Sequence, residues 1–375
     1  MLILGIETSC DETAASVILD GRKVLSNVIA SQIDLHALTG GVVPEVAARE
    51  HAVKIIPVIH QSLKEANVGL DDIDAIAVTQ GPGLIGCLLV GVTTAKTIAL
   101  AKQKPLIPVN HIVGHLYSSW LSHDETIQFP VVSLTVSGGH NELVLIRDHY
   151  DFEVLGETLD DAAGEAYDKA ARLLGLGYPG GPAISKRALK GNPHAYHFPR
   201  AWLETKKNPK NWINFHFSFS GLKTAFKNGS SIFLNAENDS KISLNKNQVR
   251  RKHKKDLTAD LAASFQHAVN EVLSTKLLNA AQQYKAREIH LVGGVSANQD
   301  LRYKIEHALR NGKSDILGPL AFSRHVTFRT PRDLSYCTDN AAMIAAAGYF
   351  KYQKNPSNFH QWRNIAATTN FEHLF

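Results

Sequence analysis

VVSLTVSGGH, at Val131–His140, is one of two stretches in which a β-branched apolar run stops at a pair of glycines; the other is IHLVGGVSAN, at Ile289–Asn298. Such runs predict buried strands that carry their glycines to the edge of a sheet, where the backbone can approach a ligand with no Cβ in the way. Polar residues follow each glycine pair, so we expect a polar ligand, and a nucleotide fits best. The alternative is that the glycine pairs only end the strands.

The length and composition limit the classes of protein to which the chain can belong. With 375 residues the chain is long for one core, which predicts two domains or one domain built from two similar halves. Its hydrophobic and charged fractions, 44% and 20%, are typical of soluble globular proteins. The apolar stretch from Leu84 to Ala101 is broken by Lys96 and by three threonines, so we expect no membrane span. Three widely spaced cysteines argue against a disulfide framework.

The predicted elements occur in a similar order twice. In the first half they are strands at 2–9, 14–19 and 24–30, a helix at 44–64, a strand at 75–79, a helix at 84–101 and a strand at 107–109. In the second half they are strands at 131–136, 141–146 and 152–155, helices at 161–174 and 258–284, a strand at 289–292 and a closing helix at 340–350. This repeat predicts two α/β lobes of related topology with a ligand cleft between them.

A histidine pair is the strongest indication of a metal. His111 and His115 are four residues apart, which on a helix puts both imidazoles on one face within reach of a single ion. Asp339, just before the closing helix, is the candidate third ligand. The alternative is a packed or surface pair. A zinc protease would need a glutamate directly after the first histidine, and Ile112 stands there, so the protease interpretation loses its general base.

Two acidic segments offer further chemistry. Asp11 and Glu12 follow the first strand at a turn rich in hydroxyls, where they could orient a nucleophile or bind a metal; the alternative is an ordinary polar turn. Asp161, Glu165 and Asp168 share one helical face and repel one another unless they meet hydroxyls, a cation or Lys169, although solvation alone also explains such a face. The turn YPGGP at 178–182 could border a purine or ribose.

A basic, low-complexity segment interrupts the second half. Residues 241–255 contain seven lysines and arginines and no acidic residue, and a stretch rich in serine and asparagine precedes them. We interpret 228–255 as a surface insertion. It is either a solubilising loop or a contact for a phosphate backbone.

The motifs together resemble one family, the universal tRNA adenosine threonylcarbamoyltransferases, which older labels called O-sialoglycoprotein endopeptidases. They occur in this order: GGVVPE at 40–45, His111 with His115, TVSGGH at 135–140, DDAAGE at 160–165, YPGGP at 178–182, GGVSAN at 293–298 and CTDNAA at 337–342. The resemblance covers Leu2 to about Tyr349. The opening IETSCDET at 6–13 is similar to the bacterial and organellar branch.

The resemblance implies an α/β fold of the actin/hexokinase/Hsp70 type (ASKHA), with two RNase H-like lobes and a nucleotide cleft. We expect an N-terminal lobe at 1–118, completed by 340–375, and a C-terminal lobe at 119–339 that carries the insertion. The implied reaction moves the threonylcarbamoyl group from threonylcarbamoyl-AMP to the exocyclic amine of the adenosine 3′ of the anticodon, in tRNAs that read A-starting codons, and releases AMP.

The resemblance also implies roles for individual residues. His111, His115 and Asp339 would bind one divalent ion, with zinc, iron and magnesium left open. The adenylate would be held by Thr135, Val136, Ser137, Gly138, Gly139, Asp168, Gly181 and Asn298. Asp11 and Glu12 match acidic positions at the reaction centre; we predict that one of them orients the incoming amine, with His140 as a further catalytic candidate.

The expected partners are tRNA, a separate threonylcarbamoyl-AMP synthase, and a second copy or a related subunit that forms a dimer, with no membrane. The helix at 44–64 is the expected dimer contact, unless it packs inside its own lobe. The basic insertion and a pI near 8.9 favour the mitochondrial matrix, with no transit peptide expected in this chain, over the alternative of the bacterial cytoplasm. Two other functions remain open, a small-molecule kinase or ATPase on the same fold and a non-enzymatic nucleotide-dependent binding module. Two imidazole ligands argue against the kinase, because magnesium prefers oxygen.

Overall fold

Two five-stranded sheets with matching strand order organise the chain. The computed structural model describes residues 1–123, 125–203, 214–228, 256–322, 325–360 and 362–369. The first sheet has the order β3-β2-β1-β4-β5 and is formed by β1 (Leu2–Glu7), β2 (Glu12–Leu19), β3 (Lys23–Ser31), β4 (Ala75–Gly81) and β5 (Leu106–Asn110). Strands β1, β2 and β3 are antiparallel, whereas β4 and β5 continue the sheet in parallel with β1.

The second sheet repeats this pattern. It contains β6 (Val131–Val136), β7 (Asn141–Asp148), β8 (Asp151–Glu157), β9 (Glu288–Val292) and β12 (Thr327–Arg329). The two-residue strands β10 (Lys313–Ser314) and β11 (Gly318–Pro319) lie between β9 and β12 in the chain and are not part of this sheet. Its order is β12-β9-β6-β7-β8, so β6 occupies the place of β1 and pairs in parallel with β9. The predicted repeat of three antiparallel strands followed by alternating helices and strands is confirmed; that the later strands are parallel, and that β12 is a strand, the sequence pattern did not indicate.

The helices cover and join these sheets. They are α1 (Ile33–Ala37), α2 (Pro44–Ala66), α3 (Ile85–Lys102), α4 (His111–Tyr117), α5 (Ala163–Leu173), α6 (Gly180–Ala188), α7 (220–228), α8 (Leu257–Gln283), α9 (Gln299–Asn311) and α10 (Ala341–Lys354). In α8, 19 of the 27 residues are buried, including polar ones such as Asn270 and Lys276, so the helix has no single apolar face. Helix α7 extends to residue 228, and the rest of the predicted insertion lies outside the described residues.

Helix α10 packs on the first sheet although it lies at the other end of the chain. It contacts β1, β2, β4, β5 and α4. A Cβ on Gly5 of β1 would lie 2.2 Å from the carbonyl oxygen of Ala341, and a Cβ on Gly348 would lie 2.6 Å from the Cβ of Ala77. These glycines therefore allow the close approach of helix and sheet. The predicted lobe boundaries, 1–118 with 340–375 and 119–339, remain predictions.

Among the described helices, α3 is long and apolar enough to cross a membrane, judged by length and composition alone. It contacts α2 and β4, and Cys87, Leu88, Val92 and Ala95 are buried. Core helices have the same composition, so this property is weak evidence for a span.

Candidate functional site

The two predicted metal-binding histidines lie on one face of α4. This helix starts directly after β5, and the Asn110 side chain caps it by accepting hydrogen bonds from the backbone N–H groups of Ile112 (2.7 Å) and Val113 (3.2 Å). The rings of His111 and His115 lie 4.7 Å apart and nearly perpendicular. The capped strand-to-helix junction therefore fixes where both imidazoles point.

Asp339 joins the histidines from the turn before α10. Its Oδ1 atom lies 3.1 Å from Nε2 of His115 and 3.5 Å from Nε2 of His111. Burial opposes the charge of Asp339, but the histidines outweigh it and hold the pKa of this carboxyl well below its ordinary value. Burial also opposes the charge of His111, yet Asp339 and Glu7 raise its pKa to about 9.

These three residues fit a divalent metal ion. One ligand atom from each of His111, His115 and Asp339 lies within 4.8 Å of the others. Two imidazole nitrogens and one carboxylate oxygen are a common donor set for zinc and for non-haem iron. The third ligand that the sequence analysis proposed is therefore in place.

Glu7 is a functional candidate that the sequence analysis did not single out. It is fully buried at the end of β1, and its Oε2 atom lies 3.1 Å from Nδ1 of His111. The hydroxyl of Ser9 lies 3.2 Å from the same nitrogen. Burial raises the pKa of Glu7, but the charge and hydrogen bond of His111 and the hydrogen bond from Thr79 together lower it, so the carboxylate form is favoured. A glutamate at the end of an otherwise apolar strand was the available signal.

Asp11 lies in the turn between β1 and β2, and Glu12, the first residue of β2, is within electrostatic reach of Asp339. The hydroxyl of Ser31 donates to Glu12 at 3.0 Å. Burial, together with the negative charges of Asp339 and Asp11, raises the pKa of Glu12 to about 9, and a hydrogen bond joins Asp11 and Glu12. Glu12 is therefore protonated at neutral pH in the protein without metal.

His140 faces the same cluster from the second sheet. It follows the glycine pair after β6, and its backbone N–H donates to the hydroxyl of Ser137 at 3.2 Å. Burial and the positive charges of His111 and His115 lower the pKa of His140 to about 4. The structure thus brings a neutral imidazole toward the predicted metal ligands.

The two glycine turns are neighbours, because β6 and β9 are paired in parallel. Gly293 has φ +86, and a Cβ there would lie 2.5 Å from the carbonyl oxygen of Val136. By contrast, a Cβ on Gly138, Gly139 or Gly294 would meet no atom within 4 Å. Gly293 therefore allows the two turns to pack closely, while Gly138, Gly139 and Gly294 leave open space beside the turns.

Two further residues predicted to hold the adenylate border the same region. Asp168 accepts a hydrogen bond from the backbone N–H of Gly180 at 2.7 Å, and burial raises its pKa. A Cβ on Gly181 would meet no atom within 4 Å. In the described residues the hydroxyl of Thr135 is buried without a hydrogen-bond partner.

The structure gives Asn298 an internal role. Its side-chain nitrogen donates to Ser185 (3.0 Å) and Gln266 (2.9 Å), and its side-chain oxygen accepts from Leu301 (3.0 Å) and Asn270 (3.1 Å). Its hydrogen-bonding groups are therefore occupied, and a contact with the adenylate would replace one of these bonds. The predicted ligand role of Asn298 stays a prediction.

The acidic face of α5 is neutralised within the protein. Asp161 lies 2.6 Å from Lys169 and 2.6 Å from Lys223, and Glu165 lies 3.5 Å from Lys169. The neighbouring Asp160 accepts hydrogen bonds from hydroxyls and backbone N–H groups at the start of α7. These carboxylates thus hold α5 and α7 together.

The fold and the site indicate the structural class to which this protein belongs. Two sheets of matching order, with paired glycine turns beside a His–His–Asp cluster, are those of a two-lobed α/β protein of the actin/hexokinase/Hsp70 type. The chain is similar to full-length HypF in the phosphate- and nucleotide-bound form, with a TM-score of 0.56, 12% identity, and coverage of 95% of this chain and 56% of that one. It is also similar to HypF from T. kodakarensis, with a TM-score of 0.56, 13% identity, and coverage of 94% and 48%.

The family follows from closer relatives. The family model for tRNA N6-adenosine threonylcarbamoyltransferase matches residues 23–346. A protein of that name from Thermomicrobium roseum is 50% identical over 362 residues, which cover 94% of this chain and 93% of the relative. Another from Staphylococcus haemolyticus is 47% identical over 352 residues, which cover 94% and 92%. The chain therefore belongs to the tRNA N6-adenosine threonylcarbamoyltransferase family, and the predicted resemblance and fold class are confirmed.

Proposed function

We propose that this protein transfers the threonylcarbamoyl group from threonylcarbamoyl-AMP to the exocyclic amine of the adenosine 3′ of the anticodon, in tRNAs that read A-starting codons. AMP is released. The observation that carries the proposal is the His111–His115–Asp339 cluster beside the glycine turns, in a chain that is 50% identical to a relative with the corresponding name.

Catalysis of this reaction requires mainly that the donor and the acceptor are positioned correctly. The donor is a mixed anhydride that is already activated, and AMP is a good leaving group, whereas an adenine amine is a weak nucleophile. Most of the acceleration can therefore come from holding the two reactants together and from stabilising charge on the carbamoyl oxygen and the phosphate.

His111, His115 and Asp339 would hold one divalent ion. When bound, this ion would supply a Lewis acid for charge that develops on the donor. The two imidazoles favour zinc or iron over magnesium.

Asp11, Glu12 and His140 would act on the acceptor. Asp11 could accept a hydrogen bond from the incoming amine, and Glu12, protonated at neutral pH without metal, shares a hydrogen bond with it. His140 is neutral at this pH, so it would serve as a hydrogen-bonding partner at the reaction centre rather than as a charged group.

The donor would lie on the glycine turns. Thr135, Val136, Ser137, Gly138 and Gly139 form the turn with open space above its glycines. Asp168, Gly181 and Asn298 would complete the adenylate site from neighbouring elements.

The second copy or related subunit would dock on α2 and α3. Val53 and Ile56 of α2 are 65% and 62% exposed, and Ile85 and Leu89 of α3 are 46% and 51% exposed. Exposed apolar side chains on two contacting helices are typical of a protein interface. We propose a homodimer through this face. tRNA and a separate threonylcarbamoyl-AMP synthase are the other proposed partners.

The compartment stays a prediction. The basic insertion and the pI predict the mitochondrial matrix, and neither the Thermomicrobium nor the Staphylococcus relative supports that prediction. Both relatives come from bacteria, which favours the alternative of the bacterial cytoplasm.

Transfer of labelled threonine tests the proposed function. The protein is incubated with unmodified tRNA, threonine, bicarbonate, ATP and a threonylcarbamoyl-AMP synthase, and the nucleosides are then analysed. We expect label with the wild type and with His307→Ala, which removes an exposed histidine of α9, and at least about a hundredfold less with His111→Ala/His115→Ala. Unlabelled tRNA despite donor synthesis would contradict the proposal, and release of phosphate from ATP without tRNA would favour the kinase or ATPase.

A further inference from the structure

Glu7 is surrounded by hydrogen-bond donors. Its Oε1 atom accepts from the backbone N–H of Ser9, and its Oε2 atom accepts from the hydroxyl of Thr79 at 2.5 Å. The same Oε2 lies 3.1 Å from Nδ1 of His111. The carboxylate is fully buried, so these contacts determine its orientation.

The two nitrogens of His111 face different groups. Nδ1 faces Glu7, and Nε2 faces Oδ1 of Asp339 at 3.5 Å. Both groups are carboxylates, which only accept hydrogen bonds, but Glu7 is the nearer one and makes the hydrogen bond, so in the neutral ring the hydrogen belongs on Nδ1. The lone pair of Nε2 is then directed toward Asp339 and His115, which is the tautomer a metal ligand requires.

We propose that Glu7 is a positioning residue that sets the tautomer and the ring orientation of His111, and through them the metal affinity of the cluster. The inference rests on the proposed metal site. Carboxylates that hold a ligating histidine in this way commonly contribute 10- to 100-fold in metal affinity.

Glu7→Gln tests the tautomer with little change in shape. The backbone N–H of Ser9 cannot rotate away, so the amide oxygen of the glutamine must stay opposite it. The NH₂ group then faces Thr79 and His111, and it donates to Nδ1. This arrangement forces the hydrogen onto Nε2, where it blocks the metal.

Metal affinity is the first measurement. The full-length protein is titrated with Co²⁺ and Zn²⁺ in competition with a chelator. We expect Glu7→Gln to bind about 10- to 100-fold more weakly than the wild type, and Thr79→Val to show a smaller loss. Glu288→Gln is the matched control, because Glu288 is another buried glutamate 3.0 Å from a histidine, His290, on a different sheet; its metal affinity should equal that of the wild type.

A second measurement does not depend on bound metal. ¹⁵N-histidine NMR spectra of the metal-free protein are recorded at rising pH, and the tautomer is read where the chemical shifts show a neutral ring. We expect the Nδ1–H tautomer of His111 in the wild type and the Nε2–H tautomer in Glu7→Gln. Equal metal affinity of the two proteins, or an Nε2–H tautomer in the wild type, would overturn the inference. Wild-type binding that His111→Ala does not reduce would refute the proposed metal site, and the spectra would still decide the role of Glu7.

Discussion

Thr135 and Val292 lie directly opposite each other where the parallel strands β6 and β9 end. This pairing brings two glycine turns together that are more than 150 residues apart in the chain. Because parallel strands end at the same edge of a sheet, the backbone of both turns faces one region. The register of this strand pair therefore places the two glycine turns side by side at the proposed donor site.

Gly293→Ala should disrupt this junction, whereas Gly294→Ala should not. Gly293 has φ +86 and ψ 168, a region almost restricted to glycine, and a Cβ would also collide with Val136. We expect the free energy of unfolding to fall by at least about 2 kcal/mol, and by less than about 0.5 kcal/mol for Gly294→Ala, which has open space. Urea unfolding measures both. Equal stability of the two variants would contradict this account.

Arg172→Ala should weaken substrate binding more than folding. The guanidinium of Arg172 on α5 donates to the carbonyl oxygen of Gly40, in the loop between α1 and α2, at 2.7 Å. This bond joins elements that flank the two different sheets, so its loss should favour an open cleft. We expect KM for the donor to rise roughly fivefold, which corresponds to about 1 kcal/mol for the lost hydrogen bond. The value of kcat should change little. Arg147→Ala, which removes an exposed arginine paired with Glu153, is the control and should leave KM unchanged.

Glu288 should make the free energy of unfolding depend on pH in the acidic range. Burial raises the pKa of Glu288, but hydrogen bonds from His290, Arg329 and the backbone of Gln128 lower it to about 2. A carboxyl whose folded pKa is depressed stabilises the protein above its ordinary pKa of about 4.5, and this contribution is lost as pH falls from there toward 2.

The contribution is on the order of 3 kcal/mol. We expect the free energy of unfolding of the wild type to fall between pH 5 and 3 more steeply than that of Glu288→Gln, which lacks the titrating group. Parallel pH profiles for the two proteins would show that this carboxyl does not titrate as described.

Ile56→Asp/Leu89→Asp should separate the proposed dimer. Both side chains are more than half exposed on α2 and α3, and a charge buried in an apolar interface without a partner is costly. Light scattering after size exclusion should give a dimer for the wild type and a monomer for the variant. Leu189→Asp changes a leucine that is 85% exposed at the end of α6 and should remain a dimer. A monomeric wild type would point instead to a related subunit as the partner.

Asp11→Asn should lower turnover without affecting metal. If Asp11 orients the incoming amine, loss of its charge removes an acceptor needed in the transition state, and kcat should fall by about 10²-fold. Metal content, measured by elemental analysis, should match that of the wild type. Asp71→Asn, at an exposed carboxylate paired with Lys102, should keep full turnover.

Local patterns predicted most of the elements that carry the site. The strands and glycine turns of both sheets followed from β-branched runs, and the face shared by His111 and His115 followed from helical spacing. The strand β12 and the helices α6 and α9 were not predicted. Strand β12 has only three residues, whereas α9 has an apolar face, formed by Leu301, Ile305 and Ala308, that was not used as a helix signal.

The partners of buried polar groups could not be predicted locally. Asn298 resembles a ligand-binding residue in its motif, yet it caps α9 and bonds to Ser185 of α6 and to Gln266 and Asn270 of α8. Nothing in the spacing of these residues indicates the contacts. The same holds for Lys223, which neutralises the acidic start of α5.

The amino-acid sequence by itself determined the two-lobed fold, the glycine turns and the histidine pair, because the period of apolar residues and the position of glycines act within a few residues. The sequence also indicated Asp339 as a third ligand, but only the tertiary structure decided that Asp339 reaches the histidines and that Glu7 joins them. Asp339 lies 3.1 Å from His115 across 224 residues of sequence, and Glu7 lies 3.1 Å from His111 across 104. Such contacts depend on how α10 and β1 pack against α4, which is set by the shape of the whole core.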